Sequence, residues 1–270
     1  MRNLAMSIII PALICYVLLI IIMFLLQGKI LFHPTSYAGP PAQYGLNDFS
    51  EVKIPTEDGA EISGWFKKAE KPGKVVLFFY GNADSLQNYP DFFKKLSDAG
   101  YTVLGLNYRG YAGTKGKPTE TNLYEDGKAA IKFLSQYDEQ KNIIFAGRSL
   151  GTGVAVEMAA HHKLKGLVLI SPYTSMTNIA GEIYWYMPVK YLARYKFASI
   201  DKIAQVKEPI LIIHGRQDKL IPLAHAERLL AAATSRKELR IYENDDHNDV
   251  DMNRVGDDII QFFGNTNADH

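Results

Sequence analysis

The sequence predicts an α/β domain, a mostly parallel sheet with helices on both faces, preceded by one long apolar helix. Three observations predict it. Continuous apolar runs recur at residues 75–80, 143–146, 167–170 and 210–213, as strands covered on both faces require. Segments of helical spacing separate these runs, and strand–helix alternation is the mark of a parallel sheet. Residues 4–26 carry no charge; as a helix they span about 34 Å, enough for a bilayer core.

The chain has 270 residues, 47 % of them hydrophobic, which fits one larger domain plus an appendage. A net charge of +1 gives no reason to expect a nucleic-acid partner. Cys15 is the only cysteine, so neither an intrachain disulfide nor a cysteine-based zinc site is available. Residues 1–30 read as a single-pass membrane anchor. Pro11 is tolerated in such a helix, and the run is longer than the core of a cleaved signal peptide. One basic residue near each end, Arg2 and Lys29, gives little orientation bias; the short Arg2 end staying inside slightly favours a main domain outside the cytoplasm. Residues 31–47, with Gly39-Pro40-Pro41, read as a linker, 48–264 as the main domain and 265–270 as a tail.

Within the main domain, 48–55 alternates as a strand, 56–59 turns, and 62–67 is its hairpin partner. The strand at 75–80 leads through 81–84 to a helix over 86–99 that stops at Gly100. A strand at 101–106 and a loop to Pro118 follow, then a helix over 121–137 with Thr121 as candidate N-cap. The strand from Ile143 passes directly into a helix reaching about His162. Strands at 167–170, 210–214 and 239–242 and helices at 223–233 and 255–263 complete the pattern. Residues 173–206 contain no strand and read as a small helical insertion over the C-terminal edge of the sheet. Its aromatics could simply pack a helix pair. As a cap it would offer Tyr173, Trp185, Tyr186 and Met187 to a substrate pocket.

The chemistry gathers around Gly147-Arg148-Ser149-Leu150-Gly151. Gly-x-Ser-x-Gly between a strand and a helix is a nucleophile elbow, with glycines that let strand and helix approach closely around the serine. The order Ser, then Asp, then His is completed by Asp218, after the 210–214 strand, and His247, after the last strand. A serine hydroxyl needs a base to take its proton. His247 can do so and return the proton to a leaving group; Asp218 would hold its tautomer. Asp126 and Asp201 are discounted as the acid, one in a helix and one in the insertion. His214 reads as structural, His161 and His162 as helix-closing, and His225 as lying on an exposed helix. An oxyanion hole needs two N–H donors; Leu150 would supply one and the loop after 75–80 the other, from Asn82 or its neighbour Ala83, with Asn82 favoured. Nothing here calls for a cofactor or a metal. The Gly-rich stretch lacks the Lys-Ser/Thr of a phosphate loop and the spacing of a dinucleotide site.

Gly81-Asn82-Ala83, Asn107-Tyr108-Arg109-Gly110-Tyr111, the elbow, Ser171-Pro172-Tyr173-Thr174-Ser175, His214-Gly215-x-x-Asp218 and His247-Asn248-Asp249 occur in that order. As a set they resemble the membrane-anchored α/β-hydrolases of the bud-emergence-protein type. Animal α/β-hydrolase-domain proteins, including enzymes that remove palmitate from proteins, are similar. The resemblance covers roughly 31–263 and implies the α/β-hydrolase fold and a serine hydrolase. It departs from the pattern at Tyr80, where histidine is usual, and at Asp245 and Asp246, where glycines are usual. That acidic flank would favour an alkaline optimum.

The expectation is therefore a membrane-anchored serine hydrolase acting on esters or thioesters, with a small-molecule or lipid-like substrate or an acylated protein. A peptidase or amidase on the same fold, or a catalytically silent binding protein, are the alternatives.

Overall fold

Burial on both faces explains why the central strands are uniformly apolar. In the computed structural model, which describes residues 2–37 and 39–264, the first elements are α1 (Arg2–Leu31), β1 (Ser50–Pro55), β2 (Glu61–Lys67) and β3 (Val75–Phe79). Then come α2 (Pro90–Asp98), β4 (Thr102–Asn107), α3 (Glu120–Leu134), β5 (Ile143–Arg148), α4 (Leu150–His161) and β6 (Gly166–Ile170). The chain continues through α5 (Met176–Ile183), α6 (Val189–Leu192), β7 (Ile210–Gly215), α7 (Ala224–Ala232), β8 (Lys237–Tyr242) and α8 (Met252–Gly264). The tail expected at 265–270 lies outside the described residues, as does Ala38 of the expected linker.

The strands form one sheet in the order β1-β2-β4-β3-β5-β6-β7-β8. The β1–β2 and β2–β4 pairs are antiparallel and all others parallel. Every residue of β3, β4, β6 and β7 is buried. Parallel pairing turns the C-terminal ends of β3, β5, β6, β7 and β8 to one edge, where loops of an open α/β sheet build their site.

Among the helix starts that differ from the sequence reading, two have a plain local cause. The helix expected from residue 86 begins at Pro90, after a separate single turn at Leu86–Asn88. Proline fits a first helical turn but pushes the residue before it out of helical geometry; Tyr89 accordingly sits at φ −127, ψ 24. The cap of α3 is Thr119, not Thr121: Thr119 is extended, and its hydroxyl accepts from Asn122 N at 3.1 Å. Thr121 lies two residues further in, already helical.

Helix α1 is about 45 Å long. Met6–Leu31, whose most apolar 18 residues average a hydropathy of 3.2, is long and apolar enough to cross a membrane. The C-terminal turns of α1 meet the domain, where Gln27 bonds to Leu192 O and Arg194 N. There Phe32 is buried, its ring 5.1 Å from Tyr195 and 6.3 Å from Phe197.

Arg109 organises the opposite flank. Its Nε and backbone N donate to Asp126 at 2.7 and 2.9 Å, and Nη1 donates to Asp58 at 2.5 Å. One guanidinium thereby joins the loop after β4, helix α3 and the β1–β2 turn. Asp126 is consumed by this buried pair.

Candidate active site

Ser149 sits between β5 and α4 at φ 47, ψ −118, a conformation that side-chain-bearing residues rarely adopt. Such a residue costs about 1–3 kcal/mol and persists only where the surroundings impose it. Here they do. A Cβ on Gly147 would lie 2.5 Å from Gly151 O, and one on Gly151 would overlap the carbonyls of Phe79 and Tyr80. Ser149 N donates to Ile170 O at 2.9 Å, which ties the turn to β6. The strand thus meets the helix with the serine forced outward.

Ser149 Oγ and His247 Nε2 are 2.9 Å apart, and His247 Nδ1 is 2.7 Å from Asp218 Oδ2. Three residues from three different loops meet in one hydrogen-bonded chain. Gly215 permits it: a Cβ there would overlap Asp245 O, so only glycine lets the loop after β7 lie against the loop after β8. Gln217 N donates to that same Asp245 O at 3.0 Å.

The surroundings of Asp218 keep it charged. Burial pushes its carboxyl up. Hydrogen bonds from His214, His247 and Ile221 N outweigh burial and hold it well below the usual carboxylate range. Its Oδ1 accepts from Leu220 N at 3.0 Å and Ile221 N at 2.7 Å. His214 flanks it from the other side, with Nε2 donating to Ile221 O at 2.8 Å and lying 3.4 Å from Asp218 Oδ2. His214 is thus buried at the end of β7 against the Asp218 carboxylate.

The loop after β3 closes the site. A Cβ on Gly81 would lie 3.2 Å from Ser149 Cβ, so this loop passes directly beside Ser149. Leu150 is the first residue of α4, where an N–H has no acceptor inside the helix. The Asn82 side chain turns away toward the end of α1. Its Nδ2 donates to Leu31 O at 2.6 Å and to His33 Nδ1 at 3.0 Å, while Oδ1 accepts from His33 N at 2.9 Å and Tyr111 Oη at 2.8 Å. Tyr80 fills the family's usual histidine position as a buried ring 4.9 Å from that of Tyr108, whose hydroxyl donates to Tyr80 O at 3.1 Å. Asp246 Oδ1 accepts from Asn248 N at 2.7 Å, holding the turn that presents His247.

Arg148 is the residue that motif reading passed over. Its Nη1 donates to Asp84 Oδ2 at 2.9 Å and Tyr89 Oη at 3.0 Å, and Nη2 donates to His247 O at 3.0 Å. Asp84 and Tyr89 also bond to each other. One cation therefore spans the Asn82 loop and the His247 loop. A charge at the end of a buried strand requires partners, and that was the available signal.

The expected pocket residues part company. Tyr173 is buried beneath α4, its hydroxyl donating to Leu150 O at 3.2 Å, and so belongs to the core rather than to a substrate surface. Trp185 is 82 % exposed and Tyr186 is also exposed, so neither encloses a pocket. Met187 lines an apolar groove between the insertion and α1. His225, expected on an exposed helix, is buried: Nδ1 accepts from Thr174 N at 3.2 Å and Nε2 lies 3.1 Å from Glu182. Burial pushes its imidazole below its usual range, against the pull of Glu182.

Residues 70–199 match the family described as serine aminopeptidase, S33. An uncharacterized protein of Mycobacterium tuberculosis is 34 % identical over 88 % of this chain and 86 % of its own length. Human α/β-hydrolase domain-containing protein 17B is 33 % identical over 73 % of this chain and 68 % of its own. Among solved structures, an esterase of Pyrococcus furiosus superposes with a TM-score of 0.67 at 20 % identity, covering 87 % of this chain and 96 % of that one; at that identity the likeness shows the fold. With these relatives and this sheet, the chain belongs to the α/β-hydrolase-domain family of serine hydrolases.

Proposed function

We infer that the chain is a membrane-anchored hydrolase of carboxylic esters or thioesters, acting on lipid-like or acylated substrates through Ser149, His247 and Asp218. The carrying observation is the continuous chain Ser149 Oγ–His247 Nε2 at 2.9 Å and His247 Nδ1–Asp218 Oδ2 at 2.7 Å. In this reading His247 takes the hydroxyl proton as Ser149 attacks the acyl carbon. The N–H groups of Leu150 and Asn82 stabilise the tetrahedral oxyanion. His247 then protonates the departing alcohol or thiol, leaving an acyl-enzyme. Water, deprotonated by the same imidazole, attacks the acyl carbon, and the carboxylic acid leaves as Ser149 recovers its proton. Asp218 stays ionised throughout and holds the imidazolium that forms.

Residues 1–30 serve as a single-pass anchor, 48–264 as the catalytic domain and 173–206 as its cap, with the domain outside the cytoplasm slightly favoured by the charge near the anchor's ends. Labelling of Ser149 by a fluorophosphonate, lost in Ser149→Ala, tests the nucleophile. Hydrolysis of p-nitrophenyl esters of graded chain length tests the substrate class, and a preference for the shortest chain would count against a lipid-like one. The match to the S33 aminopeptidase description keeps a peptidase as the second reading. Faster turnover of aminoacyl p-nitroanilides than of esters would favour it, and folded protein that takes no label would favour a silent binding protein.

A further inference from the structure

Helix α1 and the insertion between β6 and β7 meet along one face. Two polar residues of α1, Tyr16 and Gln27, fix the ends of that meeting. Tyr16 Oη donates to Tyr186 O at 2.6 Å. Gln27 bonds twice to the segment around α6: Nε2 donates to Leu192 O at 2.9 Å and Oε1 accepts from Arg194 N at 2.8 Å. The Arg194 guanidinium lies 4.0 Å from the Phe24 ring centroid, beside the second contact. Residues 16 and 27 of one helix are about 16 Å apart.

Along this face the elements part into an apolar cavity of about 210 Å³. Met23, Phe24 and Ile30 of α1 form one wall, and Met176, Ile179 and Ile183 of α5 the other. Among the described residues no charged side chain lines it. An apolar cavity of about 150 Å³ already accepts benzene, so a groove of this size and lining suits a hydrocarbon segment.

Its position between two other features decides the occupant. At one end Leu31 lines the groove, and Leu31 O accepts from Asn82 Nδ2 at 2.6 Å. Asn82 follows Gly81, which abuts Ser149. At the other end lie the Tyr184–Met187 turn with exposed Trp185 and the exposed Ile183, level with the middle of the apolar helix. With α1 in a bilayer, that end opens among lipid tails.

We propose that this groove holds the long acyl chain of a substrate drawn from the bilayer, so that the C-terminal half of α1 is a wall of the acyl-binding site as well as an anchor. The proposal rests on the reading of Ser149 as the nucleophile. The chain would pass from lipid to an apolar slot without crossing water, with its carbonyl delivered beside the Asn82 loop. A charged peptide terminus would find no partner in the groove.

The test uses the full chain in phosphatidylcholine vesicles and a fluorophosphonate whose long alkyl tail carries a diazirine. After Ser149 has reacted, illumination crosslinks the tail where it lies, and peptide mapping reads the position. Crosslinks to Met23, Phe24 or Ile30, together with Met176 or Ile179, are expected. Labelled Ser149 with crosslinks confined to other faces or to lipid would overturn the groove and leave the hydrolase reading standing. Unlabelled Ser149 would overturn both. A second measurement fills the slot: Ala180 lines it, and Ala180→Trp is expected to lower kcat/KM for a palmitate ester about tenfold or more, with a butyrate ester little changed. Equal losses on both esters would mean that the substitution acts on the fold or on the nucleophile, against the proposal.

Discussion

Asn82 Nδ2 donates to Leu31 O at 2.6 Å, joining the loop beside Ser149 to the last turn of the apolar helix. The same side chain accepts from His33 N and Tyr111 Oη. Its amide is fully engaged in positioning the loop, while its backbone N–H remains the proposed oxyanion donor. Asn82→Ala keeps that N–H and removes the clamp. The expected result is a fall in kcat of about 10- to 100-fold with KM little changed, since small misplacements of this kind cost that much. Asn82→Asp keeps the acceptor toward His33 and Tyr111 but sets a carboxylate oxygen against Leu31 O, so it should lose at least as much as Asn82→Ala. Unchanged kcat in Asn82→Ala would show that the backbone alone sets the loop.

Arg148 Nη2 reaches His247 O, and Nη1 reaches Asp84 and Tyr89. Removing the cation leaves the buried Asp84 carboxylate without its counter-charge. Arg148→Ala should therefore cost about 3–5 kcal/mol in urea unfolding. It should also lower kcat, because the His247 loop loses its tie to the Asn82 loop. Arg148→Lys keeps the charge but not the two-armed reach, and is expected to recover stability more than turnover.

Asp218 gives a pH signature. Its folded-state pKa is held below its ordinary value by hydrogen bonds from His214, His247 and Ile221 N, in spite of burial. A carboxyl depressed on folding stabilises the protein above its unfolded value of about 3.9, and that contribution is lost as pH falls through the lower folded value. Asp218→Asn should thus lower Tm most near neutral pH, with the two proteins converging in acid. A Tm difference independent of pH would refute the linkage. Turnover in Asp218→Asn should drop by about 10⁴-fold, because the imidazole loses its orienting acceptor.

Arg109 separates fold from chemistry. It pairs with buried Asp126 and with Asp58, on the flank formed by α3 and the first hairpin. Arg109→Ala should destabilise by about 3–5 kcal/mol through the unpaired Asp126, measured by chemical unfolding. The fraction that remains folded should label at Ser149 as the parent does. A lost label in folded protein would tie this network to the site.

The strands were legible because burial on both faces leaves a plain signal, an uninterrupted apolar run such as that of β3 or β7. The elbow was legible because the close approach at Gly147 and Gly151 admits only glycine. Helix starts were less so: Thr119 and Thr121 have the same side chain, and only the path of the backbone decides which caps α3. Arg148, Asp84 and Tyr89 escaped notice because each is ordinary alone and their meaning lies in a meeting across loops. Tyr173, Trp185 and Tyr186 look alike as aromatics, but one is buried under α4 and the others are exposed, a difference of direction that spacing along the chain does not encode.

The sequence by itself determined the sheet, the apolar helix, and the order in which Ser149, Asp218 and His247 follow successive strands, because periodicity and glycine placement are local properties of a chain. Tertiary structure alone decided that Gly215 lets two loops touch so that Asp218 meets His247. It alone decided that Asn82 holds the end of α1, and that this helix and the insertion enclose an apolar groove. Those relations join residues far apart in the chain, and distance in space is set by packing, not by spacing.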